Sequence, residues 1–69
     1  MINKIIKVKL SHWTEEGYAI VIDAYLLDLE YSITWYLLKT MYGEVCHIPE
    51  WFDYEITDMD DIEFTLKFL

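Results

Sequence analysis

The sequence predicts a small α+β domain of two layers, in which one helix packs on one face of an antiparallel sheet of about four strands, in the order ββαββ. Four segments show the alternation or continuous apolar character of strands, and one central segment repeats its apolar residues at helical spacing. Strands that run consecutively on both sides of a single helix are typical of α+β folds. The 69 residues are enough for one domain, residues 1–69.

The first two strands are predicted at the N-terminus. Residues 4–10, KIIKVKL, alternate between apolar and lysine positions, which indicates a half-buried strand. Residues 18–27, YAIVIDAYLL, are apolar on both faces apart from Asp23, which predicts a central strand covered on both sides. Between them, Gly17 suits the positive-φ position of a hairpin turn.

A helix is predicted over residues 29–42, LEYSITWYLLKTMY, because Asp28 is a good N-cap and Gly43 a good residue just beyond the C-terminus. Its first apolar stripe would face the sheet and consists of Leu29, Ile33, Leu37 and Met41. A second stripe on another side consists of Tyr31, Trp35, Leu38 and Tyr42.

A single sheet covers only the first stripe, so we expect the second to be exposed and to mediate self-association as a two-fold symmetric homodimer. Two alternatives remain. The N-terminal segment or the connection over residues 44–51 covers the stripe, or the stripe itself binds another protein.

The C-terminal third is predicted to hold two further strands. Residues 44–50, EVCHIPE, are predicted to be a connection, because Pro49 interrupts them. Residues 52–57 alternate again and predict the third strand, followed by a turn over residues 58–61. Residues 62–69, IEFTLKFL, also alternate and predict the fourth strand, with one face formed by Ile62, Phe64, Leu66 and Phe68.

The charge of the chain restricts its partners. The formal net charge is −8, and all five basic residues are lysines. Arginine is the residue that clamps phosphate bidentately, and a strongly negative protein repels nucleic acid. We therefore expect no direct binding of nucleic acid and a basic protein as the partner. Plentiful Ile, Lys and Tyr with scarce Arg, Ala, Gly and Pro are typical of AT-rich genomes, such as those of many phages and low-GC bacteria.

Residues 51–64, WFDYEITDMDDIEF, combine aromatic side chains with six carboxylates, which only Lys67 offsets. Carboxylates two residues apart on a strand lie roughly 6.6–6.8 Å apart, a spacing comparable with that of successive phosphates in a nucleic-acid strand. A partner-binding site is therefore predicted, with Trp51 as an aromatic anchor at its rim. Its residues are Trp51, Asp53, Glu55, Asp58, Asp60, Asp61 and Glu63. The alternative is an acidic edge that maintains solubility and prevents aggregation.

Few residues are suited to catalysis or metal binding. Cys46 is the only cysteine, and with His12 and His47 it falls short of the about four ligands of a structural zinc site. The acidic turn over residues 58–61 lacks the glycine and the distal glutamate of a calcium-binding EF-hand loop. His12 with Cys46 and His47 could be a catalytic pair, but the sequence offers no third group that would orient them. We expect a protein that is not an enzyme and has no cofactor and no metal.

These features favour a small acidic protein that blocks a basic nucleic-acid-handling target with a nucleic-acid-like surface. The leading case is a phage anti-defence protein, such as an inhibitor of a CRISPR effector or another nuclease, or a host-takeover protein. The alternatives are an antitoxin or immunity protein against a toxin nuclease, and a small dimeric assembly protein that uses the aromatic helix stripe. The single cysteine, the lack of a signal-peptide pattern and the lack of an apolar run of about 20 residues predict a cytoplasmic protein outside the membrane.

Overall fold

The computed structural model describes residues 1–28, 30 and 32–69 and, within them, a five-stranded antiparallel sheet and a C-terminal helix. The elements are β1 (Ile5–Val8), β2 (Gly17–Asp28), β3 (Ile33–Thr40), β4 (Val45–Pro49), β5 (Tyr54–Ile56) and α1 (Asp61–Phe68). The strand order across the sheet is β4-β3-β2-β1-β5, so that β4 and β5 are its edges. The α+β class and the antiparallel sheet are confirmed, whereas the number of strands and the position of the helix differ from the prediction.

The two N-terminal strands form as predicted, but β1 is buried on both faces rather than half-buried, because Ile5 and Ile6, which point to opposite faces, are both fully buried. β1 pairs antiparallel with β2, as predicted for the first two strands. Among the residues of β2 whose burial the structure describes, residues 17–21 are covered on both faces. A register shift between Val21 and Asp23 interrupts its pairing with β3, and Ile22 at the shift and Leu26 beyond it are exposed. The prediction of a fully covered central strand is therefore wrong for the second half of β2.

The helix predicted over residues 29–42 is wrong, because Ile33–Thr40 is strand β3. Its β-branched and aromatic residues favour a strand, and β2 and β4 pair with it on its two sides. A segment that is apolar almost throughout satisfies the helical and the strand period at once, so the spacing of its residues did not discriminate between them. Leu29 and Tyr31 of the predicted stripes lie outside the described residues.

Two further elements near the C-terminus differ from the prediction. The predicted connection over residues 44–50 contains strand β4, in which Pro49 is the last residue of an edge strand, where a proline is tolerated. The predicted fourth strand over residues 62–69 is instead helix α1. The predicted third strand over residues 52–57 is confirmed as the shorter strand β5.

Helix α1 forms because its N-terminus is capped. The Asp60 carboxylate accepts a hydrogen bond of 2.7 Å from the backbone N–H of Glu63. Asp61 and Glu63 lie in the first turn and Lys67 in the last, where their charges complement the helix dipole. These local interactions override the alternating pattern of the segment. No helix among the described residues has the length and apolar character that a membrane span requires.

The sheet buries side chains on both of its faces. On the concave face lie Ile6, Val8, Ala19, Val21, Leu38 and Ile48, joined by Leu10 and Trp13 from the loop after β1. On the opposite face, here the helix face, Phe64 of α1 packs on Ile5 and Ile20. The ring centroids of Tyr36 on β3 and Tyr54 on β5 are 6.3 Å apart, although a flat sheet would separate these strands by about 14 Å. The strong curvature lets the concave face bury its own side chains.

The two glycines serve different purposes from those predicted. At Gly17 a Cβ atom would lie 2.8 Å from a ring carbon of Trp13 and 2.9 Å from the methyl group of Met41. Gly17 is therefore needed because Trp13 packs closely against the backbone, and a positive φ is not the reason. Gly43, with φ of 82°, provides the left-handed position of the β3–β4 turn.

Candidate partner-binding surface

The six predicted carboxylates lie in the residue before edge strand β5, on β5 itself, in the loop that follows it, and at the N-cap and in the first turn of α1. All six side chains are exposed. The ion pairs among the described residues join Lys7 to Glu16 at 3.3 Å and His12 to Glu44 at 3.4 Å, and none includes any of the six. This acidic segment comprises Asp53, Glu55, Asp58, Asp60, Asp61 and Glu63.

The acidic segment is not the continuous strand-spaced row that the sequence predicted. Strand β5 spans only Tyr54–Ile56, so Glu55 is the one carboxylate of the six that lies in a strand, and Asp53 immediately precedes it. Asp58 lies in the loop, and Asp60 begins the cap of α1. The carboxylates therefore form a negative surface around a turn rather than a straight line of charges.

Part of the acidic segment stabilises helix α1. Asp60 is its N-cap, and Asp61 accepts a hydrogen bond of 3.0 Å from the backbone N–H of Ile62. An N-cap side chain contributes about 1 kcal/mol, and Glu63 adds a favourable charge in the first turn. Asp53, Glu55 and Asp58 have no comparable hydrogen bond among the described residues, so that helix capping does not explain them.

Lysines lie closer to the acidic segment than the sequence suggested. Lys7 is directly opposite Glu55 in the pairing of β1 with β5. An open groove of about 560 Å³ lies beside this pair, lined by Lys7, Val8, Lys9, Glu16, Trp51, Phe52, Asp53, Tyr54 and Glu55. The hydrogen bond and charge of Glu16 raise the pKa of Lys7, with a smaller contribution from Glu55. The expectation that only Lys67 offsets the carboxylates is therefore wrong.

Of the aromatic residues in this region, Trp51 is the most exposed, at 71%. It lies in the β4–β5 connection and lines the groove. Phe52 and Tyr54 are half-buried against the concave face, and Phe64 is fully buried. Burial first, and then the neighbouring Tyr36, raise the pKa of Tyr54, so its phenol stays neutral.

The residues predicted for self-association do not form one surface. Leu38 is fully buried in the concave face, and strand alternation directs Trp35 to the opposite face, where its ring centroid is 5.3 Å from that of His47. Tyr42 is exposed in the β3–β4 turn and packs edge-on against Trp13. Tyr31 lies outside the described residues. The aromatic helix stripe therefore does not exist.

An exposed apolar surface on α1 was missed by the sequence pattern. Phe64 points to the sheet, whereas Ile62, Leu66 and Leu69 are exposed, at 68%, 83% and 54%. Ile62 and Leu66 are four residues apart, which places them on the same outward side of the helix, and Leu69 follows as the C-cap residue. The capping residue Asp60, followed three positions later by Glu63, is the signal that would have indicated a helix here.

The described residues contain no group of three or more His, Cys, Asp or Glu side chains that could hold a metal ion. Cys46 is half-buried, and burial, together with the charge of Glu44, raises the pKa of its thiol. A thiol of this kind is a poor nucleophile at neutral pH. His12 lies beside Glu44 and His47 beside Trp35, so the two histidines occupy separate environments.

No family model, curated protein or solved structure matches the chain. Its function is therefore inferred from the charge, exposure and packing of its own residues.

Proposed function

We propose that the protein binds a basic, nucleic-acid-handling protein and blocks it by presenting a negative surface in place of nucleic acid. The observation that carries the proposal is the acidic segment, whose six exposed carboxylates form no ion pair among the described residues. The chain has a net charge of −8 and no arginine. Such a field repels nucleic acid and attracts a groove rich in lysine and arginine.

Asp53, Glu55 and Asp58 support the proposal most strongly, because capping of α1 accounts for the other three carboxylates. Neighbouring like charges destabilise a fold, so an exposed cluster of them calls for an explanation. Protection of a sheet edge against aggregation accounts for charges on β5. It does not account for Asp58, which lies beyond the end of that strand.

The biological setting that we propose first is a phage anti-defence or host-takeover protein, with a CRISPR effector or another nuclease as the target. The same surface suits an antitoxin or immunity protein that neutralises a toxin nuclease, and the neighbouring genes distinguish these cases. A dimeric assembly role based on the aromatic helix stripe loses its basis, because Ile33–Thr40 is a strand.

Capture from a bacterial lysate, with identification of the bound proteins by mass spectrometry, tests the proposal. The informative variant is Asp53→Asn/Glu55→Gln/Asp58→Asn, which neutralises the three carboxylates without changing their size. The matched control is Glu15→Gln/Asp23→Asn/Glu50→Gln, which removes three exposed carboxylates elsewhere. Both variants have a net charge of −8 + 3 = −5.

We expect the wild type and the control to retain the same basic nucleic-acid-binding proteins, released by raised salt. The informative variant should retain far less of them, because the charges that attract the partner are gone. Equal retention by all three proteins, or a captured set that is not basic, would show that the acidic segment is not the binding surface.

A further inference from the structure

Helix α1 has two apolar sides, and the sheet covers only one of them. Phe64 is fully buried against Ile5 and Ile20 on the helix face. On the outward side, Ile62 and Leu66 line a shallow depression of about 210 Å³ together with Asp61 and Thr65. An apolar helix side of this kind, rimmed by polar residues, is typical of a protein-interaction site.

The outward side of α1 is continuous with the acidic segment. Asp61 lines the depression and also an adjacent open groove of about 370 Å³. The lining of that groove includes the carboxylates of Asp58, Asp60 and Asp61 and one cation, Lys4. The exposed apolar side chains and the carboxylates of Asp58, Asp60 and Asp61 therefore lie next to one another.

The charge around this surface favours a basic partner over a second copy of the chain. Two copies would bring two net charges of −8 together, and like-charge juxtaposition opposes association. A basic segment would instead place its cations against the carboxylates at the N-terminal end of α1 and its apolar side chains against Ile62 and Leu66.

We infer that the outward side of α1, formed by Ile62 and Leu66, is the docking site for a basic amphipathic helix of the partner protein. This inference rests on the proposed function and names the apolar part of the same interaction. The carboxylates accelerate association by attracting the basic helix, and the apolar contact slows its dissociation. An amphipathic helix that lays its apolar side on a hydrophobic surface is an established mode of peptide recognition.

The probe for this inference is a labelled synthetic amphipathic helix of about 15–18 residues, with leucines on one side and lysines on the other. A second peptide of equal charge carries serine in place of each leucine. Binding is measured by fluorescence anisotropy and stopped-flow kinetics at several salt concentrations. The variant is Ile62→Ala/Leu66→Ala, and the matched control is Leu26→Ala/Val45→Ala, which truncates exposed apolar residues of β2 and β4.

We expect the wild type and the control to bind the leucine peptide equally. The Ile62→Ala/Leu66→Ala variant should bind it about 10- to 100-fold more weakly, through faster dissociation and with an unchanged salt dependence. The serine peptide should bind weakly to all three proteins. Sedimentation of the wild type should show a monomer.

Three results would overturn the inference. The first is an absence of binding to the leucine peptide, and the second is equal binding by the variant and the wild type. The third is a wild-type dimer that Leu66→Ala dissociates, because a second copy would then occupy the surface. None of these results changes the lysate capture that depends on Asp53, Glu55 and Asp58, so failure of this inference is distinguishable from failure of the proposed function.

Discussion

Replacement of Phe64 by alanine should lower the free energy of unfolding by about 3–5 kcal/mol. Phe64 is the fully buried residue of α1, and it packs on Ile5 and Ile20 of the sheet. A core of this size supplies only about 3–5 kcal/mol in total. We therefore expect Phe64→Ala to be largely unfolded or to lose the helix at room temperature, which far-UV circular dichroism during urea denaturation measures.

Leu66→Ala is the matched control for this prediction, since it truncates an apolar residue of the same helix that is exposed. Its effect should stay within about 0.5 kcal/mol. The comparison also discriminates between the helix and the alternating strand that the sequence pattern suggested. In such a strand Phe64 and Leu66 would lie on the same face, so comparable losses for both variants would contradict the helical arrangement.

Reversal of three charges should have the largest effect on binding. The variant Asp53→Lys/Glu55→Lys/Asp58→Lys changes the net charge from −8 to −2, because each of the three reversals adds two charges. We expect its association rate with the captured partner to fall by about 100- to 1,000-fold at low salt, which is the range that electrostatic steering covers. Asp60 is left unchanged because it caps α1.

Surface-based kinetics over a salt series measures this effect. The difference between wild type and variant should narrow as salt rises, because screening shortens the range of the interaction to about 10 Å at 0.1 M. The control is Glu15→Lys/Asp23→Lys/Glu50→Lys, which has the same net charge and an unaltered acidic segment. If the association rate fell equally for both variants, the total charge of the protein and not the position of the carboxylates would determine the rate.

The strands that alternate clearly were predictable from the sequence. β1 and β5 show apolar and polar residues in turn, whereas the first half of β2 is a continuous apolar run, which is typical of a strand covered on both faces. β3 was not predictable in this way, because Ile33–Thr40 is apolar enough to fit a helix and a strand alike. Its strand form depends on pairing with β2 and β4, which lie elsewhere in the sequence.

For helix α1, in contrast to β3, the sequence did contain a local signal, the N-cap at Asp60. The strand-like alternation of the residues that follow was given more weight than this signal. The residues IEFTLKFL alternate, yet Asp60 and Glu63 provide an N-cap and a favourable first turn. Because residues 62–69 were predicted to be a strand, Ile62 and Leu66 were placed on the same face as Phe64. Their exposure on the outward side of a helix was therefore not predicted.

The candidate surface was predictable in its charge but not in its geometry. The exposure of the six carboxylates was expected, because they are charged and occupy the polar positions of an alternating segment and a turn. The position of Lys7 opposite Glu55 does not, because it depends on the pairing of two strands that are far apart in the chain. The same pairing places Trp51 and Lys7 along one groove.

Competition with nucleic acid for the captured partner tests the proposed blocking most directly. A fluorescent nucleic acid is bound to the partner and titrated with the wild-type protein, and the anisotropy of the label is followed. We expect the wild type to displace the nucleic acid completely, whereas Asp53→Lys/Glu55→Lys/Asp58→Lys should fail to displace it in the same concentration range. A ternary complex, in which the nucleic acid stays bound at saturating wild-type protein, would contradict the proposal that this negative surface takes the place of nucleic acid.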